Sequence, residues 1–289
     1  MSRLDRALVD RGLVNSRSRA AREIAAGRVS VNGRTAAKAS HDVAESDELS
    51  VTEPDPWVAR SAHKLLGALD AFNLSGSDVS RSDLNQSDLS SPALTRPALD
   101  GLTALDAGAS TGGFTQVLLH HGVREVWAVD VGHDQLATLL REDPRVHVRE
   151  GLNLRELGNS DVPVVDLVVA DVSFISLRLL IEPLLAATAA TGELLLMVKP
   201  QFELSRSSLD KHGVVTSGSN RRRALESVLS AVSEHSARVT DIAPSPLPGP
   251  SGNREYFLRV RPGRTPDESD RLDEASLPIH LETIMRGES

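Results

Sequence analysis

The stretch LDAGASTGGFT, residues 105–115, decides the fold class of this 289-residue chain. An apolar, strand-like run over Leu102–Asp106 leads into it, and a helical pattern begins at residue 113. Glycines at a strand-to-helix turn let the backbone approach a ligand closely, and ligands of open parallel sheets bind at the carboxyl ends of the strands. The turn therefore predicts a ligand site in a doubly wound α/β domain.

Strand and helix patterns alternate along the rest of this region. Strand runs are predicted at Leu102–Asp106, Val126–Asp130, Val146–Val148, Asp166–Asp171, Leu194–Lys199, Arg238–Ile242 and Glu255–Val260. Helical stretches are predicted at 113–121, 134–141, 176–190 and 220–236. Continuously apolar runs such as DLVVAD and LLLMV are typical of a parallel sheet covered on both faces. Because no helix separates the last two runs, we expect an antiparallel hairpin to close a mostly parallel seven-stranded sheet, as in the Rossmann-like fold of class I methyltransferases.

The spacing of the glycines narrows the choice of ligand. Gly108, Gly112 and Gly113 form G-x-x-x-G-G, which is neither the G-x-G-x-x-G of dinucleotide enzymes nor a phosphate-binding loop. S-adenosyl-L-methionine fits better, because its loop accepts an amino acid and a ribose rather than a phosphate. Asp130, which ends the second strand, can accept hydrogen bonds from both ribose hydroxyls. The candidate cofactor-binding residues are Asp106, Gly108, Ser110, Thr111, Gly112, Gly113 and Asp130.

Basic charge is concentrated at the amino end of an acidic chain. The formal net charge is −8, yet residues 1–38 hold nine lysines and arginines against three acidic residues. A local basic face is what phosphate contacts require. The segment RLDRALVDRGLVNSRSRAAREIAAGRVSVNG, residues 3–33, predicts two short helices and a hairpin turn at Asn32-Gly33, with a return strand near Leu49–Val51.

This segment resembles the RNA-binding domain of the ribosomal-protein-S-four type, in which basic residues of the second helix and neighbouring turns bind structured RNA. The resemblance implies RNA contacts by Arg3, Arg6, Arg17, Arg19 and Lys38. A solvated charged helix and a DNA-binding helix-turn-helix are the alternatives. The hairpin that follows at once disfavours the second.

Two lysines and two carboxylates stand at edges of the predicted sheet: Lys64, Asp171, Lys199 and Glu255. Asp171 and Lys199 end the fourth and fifth strands. Taken singly, each could be an ordinary surface charge. Together they resemble the Lys-Asp-Lys-Glu set of the ribose 2′-O-methyltransferases related to the FtsJ group. A lysine can act as a base near neutral pH only if its pKa, ordinarily ~10.4, is lowered by burial or nearby cations, so either lysine remains a candidate base.

The order of VVADVSFISL, DAGASTGGFT, MVKPQFE, HGVV and the amino-terminal pattern is similar to that of the TlyA, or haemolysin A, family. That resemblance covers almost residues 1–262. It implies S-adenosylmethionine-dependent methylation of a cytidine ribose in ribosomal RNA of the large subunit and, in some members, of the small subunit. Two departures, Asp55 where the family often carries arginine and Ser61 where glycine is usual, leave the role of the linker open.

The expected organisation is an RNA-binding domain at 1–54, a linker at 55–60 and the methyltransferase domain at 61–262, followed by an acidic tail at 263–289. A serine-rich insertion within 75–100 is expected to be disordered. The chain has no cysteine, its amino end lacks the apolar core of a signal peptide, and no apolar run approaches bilayer length. We therefore expect a cytoplasmic monomer that acts on ribosomal RNA and binds no membrane and no metal.

Three other functions stay open at this stage. The chain could be a non-catalytic RNA-binding assembly factor, although it retains all four charged residues and the glycine turn. It could be membrane-active, as the haemolysin name suggests, although no basic amphipathic helix of adequate length is visible. A nicotinamide oxidoreductase is disfavoured by the glycine spacing.

Overall fold

The computed structural model describes residues 2–14, 17–52, 56–75, 98–263, 272 and 276–286. The chain forms two compact units, Met1–Pro56 and Trp57–Ser289, called here the amino-terminal and carboxy-terminal units. Most of the insertion expected to be disordered, and part of the acidic tail, lie outside the described residues. Within those residues, no helix has the length and apolar character needed to cross a bilayer.

The amino-terminal unit packs two helices against short strands. The elements are β1 (Ser2–Arg3), α1 (Leu4–Asp10), α2 (Arg17–Ala25), β2 (Val29–Val31), β3 (Arg34–Thr35), β4 (Asp42–Val43) and β5 (Leu49–Val51). Asn32 and Gly33 have φ values of 49° and 75°, as a two-residue hairpin turn of type I′ requires. The strand that returns from this turn is β3, whereas β5 pairs with the other edge of β2.

A seven-stranded sheet forms the centre of the carboxy-terminal unit. Its strands are β6 (Thr103–Ala107), β7 (Glu125–Asp130), β8 (Val146–Glu150), β9 (Val165–Ala170), β10 (Thr188–Val198), β11 (Ala237–Pro244) and β12 (Tyr256–Pro262). Their order is β11-β12-β10-β9-β6-β7-β8, and only β12 runs antiparallel to its neighbours. The predicted mostly parallel sheet with a closing hairpin is confirmed. The strand order reverses at β6, which is where open α/β sheets bind ligands.

Helices cover both faces of the sheet. They are α3 (Ala62–Ala71), α4 (Gly113–His120), α5 (Thr138–Arg141), α6 (Ile181–Ala186), α7 (Pro200–Glu203), α8 (Gly218–Glu234) and α9 (Leu277–Arg286). One core contains Leu69 of α3 and Phe114 of α4, and the other contains Leu184 of α6 and Val228 of α8. Successive residues of β10 enter alternate cores, because side chains of a strand alternate between faces.

Two predicted helices are shorter than expected. Within 176–190, a 3-10 turn precedes α6, and β10 already begins at Thr188, which pairs with Val165 of β9. Within 134–141, only α5 is helical, because the main-chain N–H groups of residues 134–136 donate to the carboxylate of Glu150. In both places tertiary contacts outweigh local helical preference.

Candidate active site

The glycine-rich turn joins β6 to α4 at the point where the strand order reverses. Gly108 has a φ of +87°, and a Cβ there would lie 3.1 Å from the main-chain oxygen of Asp171, the residue after β9. Gly112 has a φ of +97° and faces Leu136 and Leu140. Glycine is needed at both positions, because other residues rarely adopt this backbone conformation and a side chain would have little room. The turn therefore lies directly against the end of the neighbouring strand.

Asp130 ends β7 beside this turn. Its Oδ2 accepts a 2.9 Å hydrogen bond from the main-chain N–H of Ser110, and its Oδ1 accepts a 2.7 Å bond from that of Gly132. Each carboxylate oxygen can accept two hydrogen bonds and receives one of these from the backbone, so within the described residues each has capacity for a bond from a ligand. The carboxylate is thus fixed by the backbone and still able to bind two hydroxyl groups.

A cavity of about 660 Å³ opens at the carboxyl ends of β6, β7 and β9. Part of its lining is polar and is formed by Gly108, Ser110 and Asp130. Another part is apolar and is formed by Leu154, Val172, Ile175 and Leu180. The volume is in the range of small-molecule sites, which combine apolar walls with a few polar groups. These residues fit S-adenosylmethionine, whose ribose and amino acid need polar partners and whose adenine needs an apolar wall.

The predicted cofactor-binding residues divide into two groups. Gly108, Ser110 and Asp130 line the cavity. Thr111, Gly112, Gly113 and Asp106 lie outside its lining, as far as the described residues show. Sequence reasoning missed Gln135 and Asn153, which line the cavity from the chain after β7 and after β8. Their positions could have indicated them, because the carboxyl ends of parallel strands meet at one edge of the sheet.

Asp106 is fully buried within β6. Its Oδ2 accepts a 2.7 Å hydrogen bond from the hydroxyl of Thr115, and its Oδ1 has no hydrogen-bond partner among the described residues. Burial raises the pKa of this carboxyl to about 7, and the nearby carboxylates of Asp171 and Asp130 add to the effect. Through its bond to Thr115, Asp106 therefore joins β6 to α4, the two elements on either side of the glycine-rich turn.

The four charged candidates form two ion pairs. Lys64 of α3 lies 2.5 Å from Oε2 of Glu255, and both side chains are buried. Lys199, directly after β10, lies 2.6 Å from Oδ1 of Asp171 and donates a 2.8 Å hydrogen bond to the hydroxyl of Ser173. At this distance the Lys199 ammonium is the charged partner of Asp171 Oδ1, which is itself buried.

The Lys199–Asp171 pair lines a second, smaller cavity. This cavity of about 180 Å³ shares four lining residues with the large one, namely Gly108, Ser110, Asp171 and Ser173. Lys199 also lines it. Lys64 and Glu255 lie outside the described residues that line either cavity. Both lysines are buried and paired, and of the two, Lys199 lines the smaller of the two cavities described here.

Phe174 is a feature that sequence reasoning missed. Its side chain is 92% exposed, it lines the large cavity, and its backbone has a φ of +65°. Its ring centroid lies 5.2 Å from that of Phe202. An exposed aromatic residue in a left-handed conformation is rare, and such strain is found mostly at functional sites. Its position within VVADVSFISL was the one available signal.

In the amino-terminal unit the predicted RNA-contacting residues are largely tied to acidic partners. Arg3 and Arg17 both bond to the carboxylate of Asp5 and remain more than half exposed. Their hydrogen bonds, that of Arg3 first, lower the pKa of Asp5 to about 2. Arg6 pairs with Asp10 at 3.5 Å, Arg19 pairs with Glu23, and Lys38 is exposed. These guanidinium groups are held in place with donors still open to solvent.

Comparison with known families adds the deciding observation. The FtsJ-like methyltransferase family matches residues 57–261, and the S4 domain matches residues 2–49. The chain belongs to the FtsJ-like methyltransferase family. The predicted combination of a ribosomal-protein-S-four domain with an FtsJ-like domain is thereby confirmed.

This FtsJ-like methyltransferase has similar relatives along most of its length. It is 41% identical over 263 residues to the 16S/23S rRNA (cytidine-2′-O)-methyltransferase TlyA of Mycobacterium tuberculosis, with 90% of each chain covered. It is 33% identical over 260 residues to Hemolysin A of Brachyspira hyodysenteriae, covering 88% of this chain and 98% of that one. A solved structure named as a hemolysin from Streptococcus thermophilus superposes with a TM-score of 0.67 at 30% identity, covering 99% and 96%. The predicted resemblance to the TlyA family is confirmed.

Proposed function

We propose that this chain transfers a methyl group from S-adenosylmethionine to the 2′-hydroxyl of a cytidine in ribosomal RNA. The observation that carries the proposal is the Lys199–Asp171 pair, which meets the small cavity next to the glycine-rich turn. The name of the TlyA relative at 41% identity supports the choice of nucleotide and RNA. Because ribosomes are the source of the substrate, we also propose a cytoplasmic location, with the chain acting as a monomer.

The large cavity is the proposed cofactor site. When bound, S-adenosylmethionine supplies an activated methyl group on a sulfonium. Asp130 would accept hydrogen bonds from the ribose hydroxyls, and the main chain at Gly108 and Ser110 would face the amino acid portion. The apolar wall, which includes Ile175 and Leu180, would enclose the adenine. Together these contacts would orient the methyl group and exclude water from it.

Lys199 is the proposed proton acceptor. It lines the small cavity, whereas Lys64 is held in a buried pair with Glu255. In the reaction the methyl carbon would leave the sulfonium for the ribose oxygen, and Lys199, after giving up a proton to solvent, would take the hydroxyl proton. The ammonium so formed lies beside Asp171 and the hydroxyl of Ser173, which stabilise its positive charge.

The buried pair has a supporting role in this proposal. Lys64 comes from α3 and Glu255 directly precedes β12, so the pair ties a helix on one face of the sheet to the start of a strand. The Lys64 ammonium also lies 3.9 Å from the sulfur of Met197, near the end of β10. A pair placed there would hold the start of β12 and the end of β10, which Lys199 directly follows.

Recognition of RNA is assigned to two surfaces. The exposed ring of Phe174 offers a stacking surface for an unstacked base at the rim of the cavity. The basic residues of the amino-terminal unit, Arg3 and Arg17 among them, would bind phosphates elsewhere in the structured RNA. Proteins that read RNA combine such phosphate contacts with base stacking, so the two surfaces have complementary tasks.

The test is incubation with radiolabelled S-adenosylmethionine and separately purified small and large ribosomal subunits, followed by mapping of the labelled nucleotide. We expect label on the ribose of a cytidine. Binding of RNA without label would favour a non-catalytic assembly factor, and label on a base would refute 2′-O-transfer.

A lysine variant tests the assigned base in the same assay. Lys199→Ala should lower the single-turnover rate by about a hundredfold or more, the lower range for lost acid–base assistance, while S-adenosylmethionine binding changes little. Lys211→Ala, an exposed lysine in the turn before α8, is the matched control. A near wild-type rate for Lys199→Ala, with both ligands bound, would remove this residue from the chemistry. A comparable loss for Lys64→Ala would instead support shared use of the two lysines.

A further inference from the structure

Glu203 is a buried carboxylate that the proposed reaction does not use. It ends α7, a few residues after Lys199, and its side chain is 1% exposed. Removing a charged carboxylate from water is costly unless hydrogen bonds satisfy it. Two short bonds do so here: Oε2 accepts from the hydroxyl of Ser176 at 2.6 Å, and Oε1 accepts from the main-chain N–H of Leu177 at 2.7 Å. Arg178 also lies 3.6 Å from Oε2, so all three of these partners belong to the segment that follows β9.

The segment after β9 carries two groups of the proposed active site, Asp171 and Ser173. The loop Asp171–Ser176 begins at the end of β9 and leads into the 3-10 turn before α6. At its start, Lys199 contacts Asp171 at 2.6 Å and Ser173 at 2.8 Å. At its end, Glu203 binds Ser176. Both ends of the loop are therefore fastened to the same short stretch of chain after β10, from Lys199 to Glu203.

The middle of the loop needs such fastening. Phe174 holds a φ of +65°, a conformation that costs of the order of 1–3 kcal/mol and persists only where the surroundings impose it. Its ring lies against Phe202, which belongs to α7 together with Glu203. If the Glu203 bonds were lost, the loop could relax, and Ser173 and Asp171 would turn away from Lys199. A displacement of 1 Å at a reacting group can lower a rate by about a hundredfold.

We infer that Glu203 is a positioning residue for methyl transfer: it holds the loop Asp171–Ser176 in the conformation that presents Asp171 and Ser173 to Lys199. The inference rests on the proposed function and adds to it a residue that is not among those lining either cavity. Glu203 acts through its bonds to Ser176 and Leu177 and its 3.6 Å ion pair with Arg178. Its loss should therefore affect the rate of transfer more than the binding of the cofactor.

The first test replaces Glu203 by alanine and by glutamine. Glu203→Ala should lower the single-turnover rate, at saturating cofactor and RNA, by about tenfold or more, with the cofactor Kd changed by less than about threefold. Glu203→Gln should recover most of the rate, because its oxygen can accept from Leu177 and its amide can donate to the hydroxyl of Ser176. Glu182→Ala, an exposed carboxylate in the first turn of α6, is the matched control and should retain the wild-type rate.

The second test asks whether Glu203 acts through Lys199. In a Lys199→Ala background, Glu203→Ala should cause less than about a twofold further loss, because coupled residues are not additive. Additive losses, a parallel fall in cofactor affinity, or a wild-type rate for folded Glu203→Ala would each overturn the inference. If Glu203→Ala fails to fold, Ser176→Ala, which removes the bond to Glu203 and the 3.2 Å bond that Ser176 accepts from Arg178, decides the question by the same criteria. If the wild-type protein is inactive, both the proposed function and the positioning role of Glu203 are refuted. If the wild type and Glu203→Ala are equally active, only the positioning role is refuted.

Discussion

Replacing Asp106 by asparagine should change how the stability of the carboxy-terminal unit depends on pH. Burial raises the pKa of Asp106 to about 7 in the folded chain, whereas an unfolded aspartate has a pKa of ~3.9. As the pH rises from about 4 to about 7, the unfolded chain releases this proton and the folded chain keeps it, so stability is lost. Above pH 7 both states are ionised and the loss is complete. Asparagine has no such dependence.

The size of the effect follows from the two pKa values. One unit corresponds to ~1.4 kcal/mol, so the stability difference between variant and wild type should move in favour of the variant by about 3 kcal/mol between pH 5 and pH 8. The amide of asparagine would occupy the place of Oδ1, which lacks a hydrogen-bond partner among the described residues. That cost of about 1–3 kcal/mol is the same at every pH. The variant is therefore expected to be less stable at pH 5 and equal or more stable at pH 8.

Urea unfolding at pH 5, 6, 7 and 8 measures this difference. The two tryptophans, Trp57 and Trp127, both belong to the carboxy-terminal unit, so their fluorescence reports on that unit. Asp166→Asn, at an exposed position of the adjacent strand β9, is the control for removal of a carboxylate. A difference between Asp106→Asn and wild type that stays constant within about 1 kcal/mol from pH 5 to pH 8 would refute the raised pKa of Asp106.

Three further predictions concern binding and packing. Asp130→Ala should weaken S-adenosylmethionine binding by about tenfold or more, since it removes charged acceptors of hydrogen bonds; unchanged affinity by calorimetry would exclude the assigned ribose contact. Arg17→Gln should reduce the salt slope of RNA binding by about 0.7 to 0.9 and leave cofactor affinity intact, which filter binding across a salt series can check. Gly249→Ala should destabilise the chain by about 1–3 kcal/mol, because its Cβ would lie 2.6 Å from Oε1 of Glu255. Gly158→Ala, where a Cβ meets nothing within 4 Å, is the control in urea unfolding.

The sequence by itself determined the order of strands and helices and the edge of the sheet that carries the site. The reason is local: continuously apolar runs such as DLVVAD are typical of buried strands, and the glycines of LDAGASTGGFT mark the turn after the first of the predicted strands. Parallel strands then bring Asp130, Asp171 and Lys199 to one edge, whatever the details of packing. The match of these motifs to a known family supplied the reaction.

Local sequence patterns predicted helix bounds less well where groups from other strands bond to the backbone of the segment. The predicted helix over 176–190 ends early because β9 recruits Thr188 into the sheet. The first turn of the helix predicted at 134–141 is lost to the carboxylate of Glu150. In each case a partner from another strand bonds to main-chain groups that a helix would otherwise use. The sequence of the segment itself gives no sign of that partner.

Only the tertiary structure decided which charges pair and which are buried. Lys64 meets Glu255 across 191 residues of chain, while Lys199 takes Asp171. The same packing buries Asp106, holds Phe174 in a left-handed conformation and places Glu203 of α7 against the loop Asp171–Ser176. Pairing and burial depend on distances of a few ångströms between elements that are far apart in sequence, and the Coulomb and desolvation energies that set these roles depend steeply on such distances.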